Sequence, residues 1–479
     1  MDTEKTIVAI ELGSSRISGV AGQRQPDGTL KVLAYAWVPS ASCIRHGAVY
    51  NLDRTANAIA DVISRLDGML SSTISRVFVG YNAKTLRSAI CSVERNFDED
   101  TVISQEIIDD MFRECGEEEY PSYVNLLQES QEYVVDSRRT PETDPMGVAC
   151  RSIKGSYMNV LLGQQVADYM AQCFGMASVQ ILDGFVTPIA QADAVLSDDD
   201  RQQGCALVDY GADTTTVSVY KNGLLRFLRV IPLGSSLITS DLAQVLKIDT
   251  DQAEKLKCIY GLCNMNSSVD TTQTVEVSGR SFRLEEIGDI IGARNEEIVR
   301  NVIARINDSG YADVLFAGVI LTGGGSRLTG LQQVIAKLMP QMRSPRIVTE
   351  PTAGVIWVEP SWRKDDGSQL GLLSVMAMGN ENCCDRPLPK MDSIENLTAE
   401  NHDKIVMNDL FTDDGESAQV VRDKQEEESR KAAVAVSDPD DDDDDEIEDQ
   451  PKPATGGKKR TNMFKTIISR LENMFDDEK

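Results

Sequence analysis

The sequence predicts an α/β fold of two similar lobes, with a small α+β module inserted in the first lobe and an amphipathic helix at the C-terminal end. Three observations predict this fold. An apolar run followed by an acid, a glycine and hydroxyl residues occurs at residues 7–16, and the same order returns at residues 205–216. A third glycine cluster ends the apolar run at residues 319–322. Near the C-terminus, apolar residues recur at helical spacing.

Each lobe is predicted to begin with the same succession of strands. The first copy of the turn runs into Pro-Asp-Gly at residues 26–28, and the second runs into Asn-Gly at residues 222–223. Such sequences are typical of hairpins because glycine and asparagine adopt positive φ readily. Both lobes should therefore start as strand, turn, strand, turn, strand.

The glycine turns also predict a site for phosphate. A glycine turn between strands directs successive backbone N–H groups outward, and two such turns facing each other would hold a polyphosphate from both sides. The third cluster would let a ligand approach the backbone next to a helix N-terminus. Any single turn is more typical of an ordinary strand-to-helix connection than of a phosphate site, but the three together, two of them as a repeat, reverse that preference. The predicted helix after the third cluster has the apolar face Leu328, Leu331, Val334, Ile335 and Leu338.

The chain between the two lobes is longer than a minimal nucleotide-binding lobe requires. A strand is predicted at residues 77–80, and a module at residues 84–163 is predicted to contain short strands at 89–93, 132–135 and 158–162, a helix at 104–115 and a loop at 141–146. Two helices follow at 165–173 and 186–196, the second broken near its start by Pro188. The first lobe is thus assigned to residues 1–83 and 164–203, and the second to residues 204–380.

Composition limits the classes of function. The chain has 479 residues, a net charge of −28 and ten cysteines without metal-ligand spacing, which favours a reduced cytosolic compartment with the cysteines as small buried apolar residues. No leader-like segment is present, and no apolar run approaches the roughly 20 residues that span a bilayer. The two histidines, His46 and His402, suggest neither a metal site nor a catalytic triad.

Much of the negative charge lies in residues 381–457, which are polar, acidic and poor in aromatic residues. Such a composition predicts a disordered, extended linker, and its run of aspartates could alternatively bind a basic partner. The overall charge argues against nucleic-acid binding.

Residues 458–479 differ sharply from the linker. After the basic run at 458–460, a helix is predicted whose polar side faces away from seven bulky apolar residues. Its short apolar face and flanking cations favour binding in the interface of an anionic membrane, although a terminal helix could also dock on the protein core. The apolar residues are Met463, Phe464, Ile467, Ile468, Leu471, Met474 and Phe475.

The acid-x-Gly-hydroxyl turns, the Thr-Gly-Gly-Gly cluster and the two-lobed layout resemble the actin, sugar-kinase and heat-shock chaperone superfamily. Within it, the place of the insert, the Ile-Pro-Leu-Gly segment at 231–234 and the C-terminal helix resemble the FtsA family of bacterial cell-division proteins. The resemblance covers about residues 5–380 and the terminal helix, but not the acidic linker. It implies an actin-like fold with ATP and Mg²⁺ between the lobes.

The resemblance also assigns individual residues. Glu11 and Asp209 match acids that hold Mg²⁺ through water, and Glu254 and Lys257 match a pair beside the adenosine. The first phosphate turn is matched by Gly13, Ser14, Ser15 and Arg16, the second by Gly211, Ala212, Asp213 and Thr214, and the adenosine motif by Gly323, Gly324, Gly325 and Ser326.

Two departures from the pattern affect the expected mechanism. The second turn has Ala212 and Asp213 where relatives often have glycines, and Asp213 adds a negative charge near the triphosphate. Replacing Asp213 by Gly is therefore expected to tighten ATP binding. Thr187 stands where chaperone relatives have a carboxylate that orients the attacking water. We expect ATP binding with hydrolysis that is weak or absent, slower than about 1 s⁻¹.

The resemblance implies a protein that forms filaments at the cytoplasmic face of the membrane at the division site. It would bind the C-terminal peptide of the tubulin-like protein FtsZ on residues 237–312, with Arg294 and Arg300 as candidates to meet its acidic groups, unless these are simply solvated. Later division proteins would bind the inserted module. A pilus-assembly adaptor or a small-metabolite kinase of the same superfamily is the alternative.

Overall fold

The computed structural model describes residues 5–137, 140–261, 273–387 and 460–462. Helices in this part of the chain are numbered in order. They are α1 Leu52–Leu70, α2 Gln105–Gly116, α3 Gln164–Met176, α4 Thr187–Val195, α5 Asp198–Gln203, α6 Ser236–Leu246, α7 Thr250–Tyr260, α8 Leu284–Asp308, α9 Leu331–Leu338 and α10 Leu370–Met378, with 3₁₀ turns at Ala312–Val314, Gly324–Arg327 and Pro360–Trp362.

The strands are numbered in the same way. They are β1 Ile7–Leu12, β2 Arg16–Arg24, β3 Leu30–Pro39, β4 Ile44–Arg45, β5 Ala48–Val49, β6 Ser72–Ile74, β7 Arg76–Tyr81, β8 Arg87–Val102, β9 Tyr123–Val135, β10 Ala149–Gly163, β11 Gln180–Val186, β12 Cys205–Tyr210, β13 Thr215–Lys221, β14 Leu224–Ile231, β15 Thr274–Val277, β16 Arg280–Arg283, β17 Gly318–Thr322, β18 Arg346–Ile347, β19 Val355–Trp357, β20 Cys384–Pro387 and β21 Arg460–Asn462.

Two sheets of matching topology form the lobes. In the first, strands follow the order β11-β7-β1-β2-β3-β19, and in the second the order begins β18-β17-β12-β13-β14. Strand β1 is antiparallel to β2 and parallel to β7, while β12 is antiparallel to β13 and parallel to β17. The predicted repeat is confirmed, because each acid-glycine turn leads out of a central strand into its antiparallel neighbour.

The predicted hairpin turns are also confirmed. Gly28 has φ +89°, and its N–H bonds to the carbonyl of Gln25 between β2 and β3. Asn222 and Gly223 have φ of +54° and +73° between β13 and β14. Positive φ at both central residues suits the right-handed twist of the flanking strands.

The inserted module has longer strands than its sequence predicts. Strand β10 pairs with both β8 and β9, and α2 packs on them around a core that includes Met111 and Tyr157. The helix predicted at 104–115 is confirmed, with Ser104 accepting from the N–H of Ile107 as its N-cap.

Cysteine pairing is a correction to the sequence-based expectation. A disulfide joins Cys91 of β8 to Cys115 of α2, so the chain does not consist only of reduced thiols. The expectation of buried apolar cysteines is confirmed for most free thiols of the described residues, since Cys258 alone among them is exposed.

The helices that lead to the second lobe begin close to their predicted positions. Pro188 does not break its helix as predicted, because α4 begins at Thr187 and places the proline in its first turn. In the first turn of a helix the backbone N–H has no acceptor within the helix. Proline, which lacks this N–H, therefore loses no hydrogen bond there and is tolerated.

The start of the predicted linker and residues near the start of the predicted C-terminal helical segment belong to strands. Residues 384–387 form β20, which pairs with β6, and Arg460–Asn462 pair antiparallel with Leu127, Gln128 and Glu129 of β9. The seven apolar residues of the predicted C-terminal helix lie outside the described residues. Within the described ranges, no helix is long and apolar enough to cross a membrane.

Candidate functional site

A cleft of about 550 Å³ lies between the two lobe sheets, at the ends of β1 and β12. All but one of the residues predicted for the nucleotide and metal line it. The exception is Ser326, which is buried just behind the glycine cluster. The lining residues among those predicted are Glu11, Gly13, Ser14, Ser15, Arg16, Asp209, Gly211, Ala212, Asp213, Thr214, Glu254, Lys257, Gly323, Gly324 and Gly325.

The two repeated turns have the same internal geometry. A Cβ added to Gly13 would lie 2.8 Å from the carbonyl oxygen of Arg16, and one added to Gly211 would lie 2.8 Å from that of Thr214. In the second turn, the N–H of Gly211 also bonds to the Thr214 carbonyl at 2.9 Å. Glycine is therefore required at the same position of each turn, for the same steric reason.

The third glycine cluster brings backbone close to one of the acids. Gly323 has φ +82°, and a Cβ there would lie 2.3 Å from Asp209 Oδ1. The residues that follow form the 3₁₀ turn Gly324–Arg327, and α9 begins only at Leu331. This corrects the prediction of an α-helix directly after the glycines, because the chain first makes a tight turn under the cleft.

Glu11 and Asp209 are half-buried carboxylates that line the base of the cleft. Burial raises the pKa of Glu11 to about 7, with a further increase from the charge of Asp209 and a partial offset by Arg16. Burial likewise raises the pKa of Asp209 to about 6, although the hydrogen bond from Gln191 opposes this increase. Two acids held close together in a buried site disfavour their own ionisation, and a cation between them would reverse that preference.

The donor set of the cleft fits Mg²⁺ held through water. In the described part of the chain no group of three or more His, Cys, Asp or Glu side chains forms a metal site, so a direct protein cage is absent there. Mg²⁺ keeps several waters and binds through one or two carboxylates together with phosphates. Gln191 lines the cleft, and its buried Oε1 has no hydrogen-bond partner among the described residues, so the cleft offers an acceptor for a further polar group.

Glu254 and Lys257 form an ion pair on α7 at the far end of the cleft. Lys257 Nζ lies 2.7 Å from Glu254 Oε2 and donates to Thr239 Oγ1 at 3.0 Å. Burial alone would raise the pKa of Glu254, but the charge of Lys257 and hydrogen bonds from Lys257 and Thr239 outweigh it and leave the pKa below its ordinary value. The glutamate is thus an ionised acceptor at neutral pH.

Asp213 lines the cleft but its carboxylate is anchored. Ser236 Oγ donates to Asp213 Oδ1 at 2.7 Å, and His46 Nδ1 donates to the Asp213 backbone carbonyl at 3.2 Å. His46 therefore has a structural role that the sequence did not indicate. The charge of Asp213 remains beside the second turn, as predicted.

Several cleft residues were not found from the sequence. Asn82 follows β7 and accepts from Thr216 Oγ1 at 3.0 Å, while Gln191 on α4 donates to Asp209 Oδ2 at 3.2 Å. The N–H of Gly47 donates to Ser14 Oγ at 3.0 Å, and Gly367 of the loop 366–368 packs on Gly323. A polar residue directly after a buried strand was the available signal for Asn82.

Other candidate residues lie elsewhere. Thr187 does not line the cleft, and its side chain is buried between Gly80 and Gly371. Arg294 on α8 is bound by Asp241 and Glu297, and Arg300 is bound by Glu296. The two arginines are therefore already paired within this chain.

The raised pKa values of Glu11 and Asp209 predict a pH dependence of metal binding. Because their pKa values are higher in the folded protein than in the unfolded chain, the folded state holds extra protons between about pH 4 and 7 and loses stability as the pH rises through that window. A proton also competes with a cation for the same carboxylates. We expect Mg²⁺ affinity, measured by titration in the presence of a non-hydrolysable ATP analogue, to rise about tenfold from roughly pH 6 to 7.5.

The matched control for this titration is Glu11→Gln. It removes the group whose pKa lies nearest neutrality and leaves the titration of the nucleotide itself unchanged. The variant should lose most of the pH dependence, and a wild-type profile as flat as that of the variant would contradict the assignment of the two acids.

Comparisons with known proteins identify a family of similar sequences. Residues 206–357 match the family model described as cell division protein FtsA. Cell division protein FtsA of Porphyromonas gingivalis is 30% identical over 359 residues, which are 72% of this chain and 74% of that protein. FtsA of Neisseria meningitidis is 28% identical over 70% of this chain and 82% of that protein.

A similar fold occurs among solved structures. A chain of the PilM–PilN type IV pilus biogenesis complex superposes with a TM-score of 0.55 at 14% identity, covering 78% of this chain and 99% of that one. The identity is low, so this likeness concerns the actin-like fold alone.

Proposed function

Since the chain belongs to the FtsA family of cell division proteins, we propose that it is an ATP-binding, filament-forming adaptor that links the FtsZ ring to the cytoplasmic membrane. The observation that supports this most is the pair of matching glycine turns, which face one cleft with a half-buried acid beside each of them. Backbone N–H groups of such turns suit phosphate oxygens, and two acids suit a hydrated divalent cation.

In this proposal nucleotide and metal act mainly on conformation. The turns that begin at Gly13 and Gly211 would hold the phosphates, Glu11 and Asp209 would hold Mg²⁺, and the Glu254–Lys257 pair would contact the adenosine. The bound ion would neutralise phosphate charge. Thr187 lies behind the cleft wall and provides no carboxylate for a water, which supports hydrolysis slower than about 1 s⁻¹.

The membrane part of the proposal depends on the C-terminal helix. The apolar face of one short helix gives marginal, reversible binding to a bilayer. A filament that displays many such helices would bind far more tightly, because each further contact becomes intramolecular. Assembly and membrane attachment would thus depend on each other, and the acidic linker would serve as the spacer between filament and bilayer.

The FtsZ peptide is proposed to bind the part of the second lobe at residues 237–312. An acidic peptide that engages Arg294 would compete with Asp241, whose carboxylate is 2.6 Å from Arg294 Nε. Breaking the Arg294–Asp241 pair costs free energy that offsets the gain from the new contact between Arg294 and the peptide. Apolar contacts must therefore contribute much of the binding free energy. Later division proteins are proposed to bind the inserted module.

Co-pelleting tests the proposal as a whole. The full-length chain, FtsZ, liposomes containing anionic lipid and ATP with Mg²⁺ are combined, and each component is omitted in turn. FtsZ should pellet with liposomes only when this protein is present, and FtsZ without its C-terminal peptide should stay in solution. Recovery of that truncated FtsZ with the liposomes would contradict the proposed contact.

A further inference from the structure

Strand β9 of the inserted module has an outer edge that the C-terminal part of the chain covers. One side of β9 is bonded to β10, and on the other side its residues 127–129 pair antiparallel with Arg460–Asn462. Further along the same edge, Tyr133 exchanges two backbone hydrogen bonds of 2.8 Å with Glu142. An uncovered edge presents N–H and C=O groups to which another strand can bind. The C-terminal strand β21 therefore closes a part of this edge that the loop at Glu142 leaves open.

The charges of the two strands suit each other. Glu129 is only 3% exposed although it lies at the edge of the module, and a glutamate is rarely buried in this way unless a cation is near. The register sets Arg460 directly opposite Glu129, and Arg460 is the last residue of the basic run 458–460. Opposite charges at directly opposed positions stabilise an antiparallel pair. The module edge thus favours a basic segment as its occupant.

The pairing is short, and it is made within one chain. Strand β21 has three residues, which is the lower limit of the usual length of about 3–10 residues, so few hydrogen bonds hold it. Because β21 and β9 belong to the same chain, their contact is intramolecular and does not depend on protein concentration. Such a contact forms in the free molecule and can still be displaced by a competing surface.

The docked strand directly precedes the segment proposed to bind the membrane. Met463, the first of its seven apolar residues, follows Asn462 in the sequence. Anionic lipid attracts the same basic run that lies at the module edge. A paired β21 is one strand spacing, about 4.8 Å, from β9. An apolar face that starts there could enter a bilayer only if the edge of the module itself met the lipid surface.

We propose that the outer edge of β9 is a docking site for the basic segment 458–462 of the same chain, and that this docking competes with attachment of the C-terminal helix to an anionic membrane. The competition rests on the proposed membrane attachment, whereas docking in solution does not. In the free molecule the module holds the cations of the segment. At a bilayer, where negative charge is dense, the segment leaves β9 and the edge of the module is uncovered.

Hydrogen exchange of two truncated chains tests docking in solution. Chains that end at Asn462 and at Gly457 both lack the amphipathic segment, but only the longer one keeps β21. The amides of residues 127–129 that bond to β21 should exchange at least about tenfold faster in the chain that ends at Gly457, with exchange in β1 unchanged as the check of folding. Equal exchange of residues 127–129 in the two folded chains would overturn the docking.

A disulfide across the pair tests the competition in the full-length chain. Leu127→Cys with Asn462→Cys places two thiols at directly opposed positions, and diamide oxidises them by taking up their two hydrogens. The matched control, Leu127→Cys with Gly457→Cys, sets the second thiol out of register. Mass spectrometry identifies the bond, and sedimentation with anionic vesicles measures attachment.

The oxidised in-register variant should stay in solution and should pellet with the vesicles once dithiothreitol has reduced the bond. The control should pellet under both conditions. Pelleting of the oxidised in-register variant to the level of the control would overturn the competition. Wild-type protein that does not pellet would instead overturn the proposed membrane attachment, and the exchange measurement would still decide whether the segment docks.

Discussion

Replacing Asp209 by Asn is expected to weaken Mg²⁺-dependent binding of ATP about 100-fold, as the neutral amide no longer attracts the cation in a buried site. Binding of the nucleotide in the presence of a chelator should change little. Isothermal titration with a non-hydrolysable analogue, with and without Mg²⁺, measures both quantities.

The same substitution should stabilise the protein in the absence of metal. Burial raises the pKa of Asp209 to about 6, so keeping the acid ionised at pH 8 costs folding free energy that Asn does not incur. The gain is expected to be on the order of 2 kcal/mol at pH 8, and it should decline as the pH falls from about 6 to about 4, between the folded and the unfolded pKa of the acid. Thermal unfolding of the wild type and of Asp209→Asn at pH 5 and pH 8 checks whether the variant is the more stable protein and whether its advantage is larger at pH 8.

Asp213→Asn is the matched control, because it makes the same change of charge one turn away. Asn can still accept the hydrogen bond from Ser236 that holds Asp213. Asp213→Asn removes a negative charge beside the phosphates, so this variant should bind ATP more tightly than the wild type. If both variants shift the affinity in the same direction, the assignment of Asp209 to the metal and Asp213 to the phosphate turn is wrong.

Removing the C-terminal amphipathic segment should abolish pelleting with liposomes and leave nucleotide binding unchanged. Deletion of residues 463–479 keeps the strand Arg460–Asn462 that pairs with β9. The physical reason is that this segment contains the apolar face proposed to enter the membrane interface. Sedimentation with anionic vesicles measures the membrane binding of the truncated chain, and titration with ATP measures its nucleotide binding.

A pair of full-length variants makes this prediction more specific. Ile467→Asp with Leu471→Asp places two charges on the apolar face, each expected to cost on the order of 2 kcal/mol in the interface. Thr466→Asp with Asn473→Asp adds the same charge to the polar face. Only the first pair should prevent pelleting, and equal loss in both would mean that charge alone, and not the apolar face, determines binding.

The features predicted correctly from the sequence are those formed by residues that are adjacent along the chain. The turns around Gly13 and Gly211 are local, so the order of acid, glycine and hydroxyl was enough to find both copies and to assign them to one site. The hairpin at Asn222-Gly223 was found for the same reason. The wall of the cleft formed by Asn82, Gln191 and Gly367 was missed, because its members meet only when separate strands and helices assemble.

Other differences have identifiable physical causes. Strand β8 extends to Val102, although the charged residues after Val93 have low strand propensity, because pairing with β10 overrides that preference. The bond between Cys91 and Cys115 joins residues 24 positions apart, and their spacing matched no metal or disulfide pattern. The pKa values of Glu11 and Asp209 depend on burial, which residue order does not reveal.

Hydrogen bonds between protein groups already join the two sides of the cleft. Gln191 reaches Asp209, Thr216 reaches Asn82, and His46 reaches the carbonyl of Asp213. Any hinge opening of the lobes that widens the cleft to release ATP would have to break these bonds together. The residence time of the nucleotide would then exceed what its contacts alone provide, and each subunit would retain its bound state long enough for neighbours in a filament to respond to it.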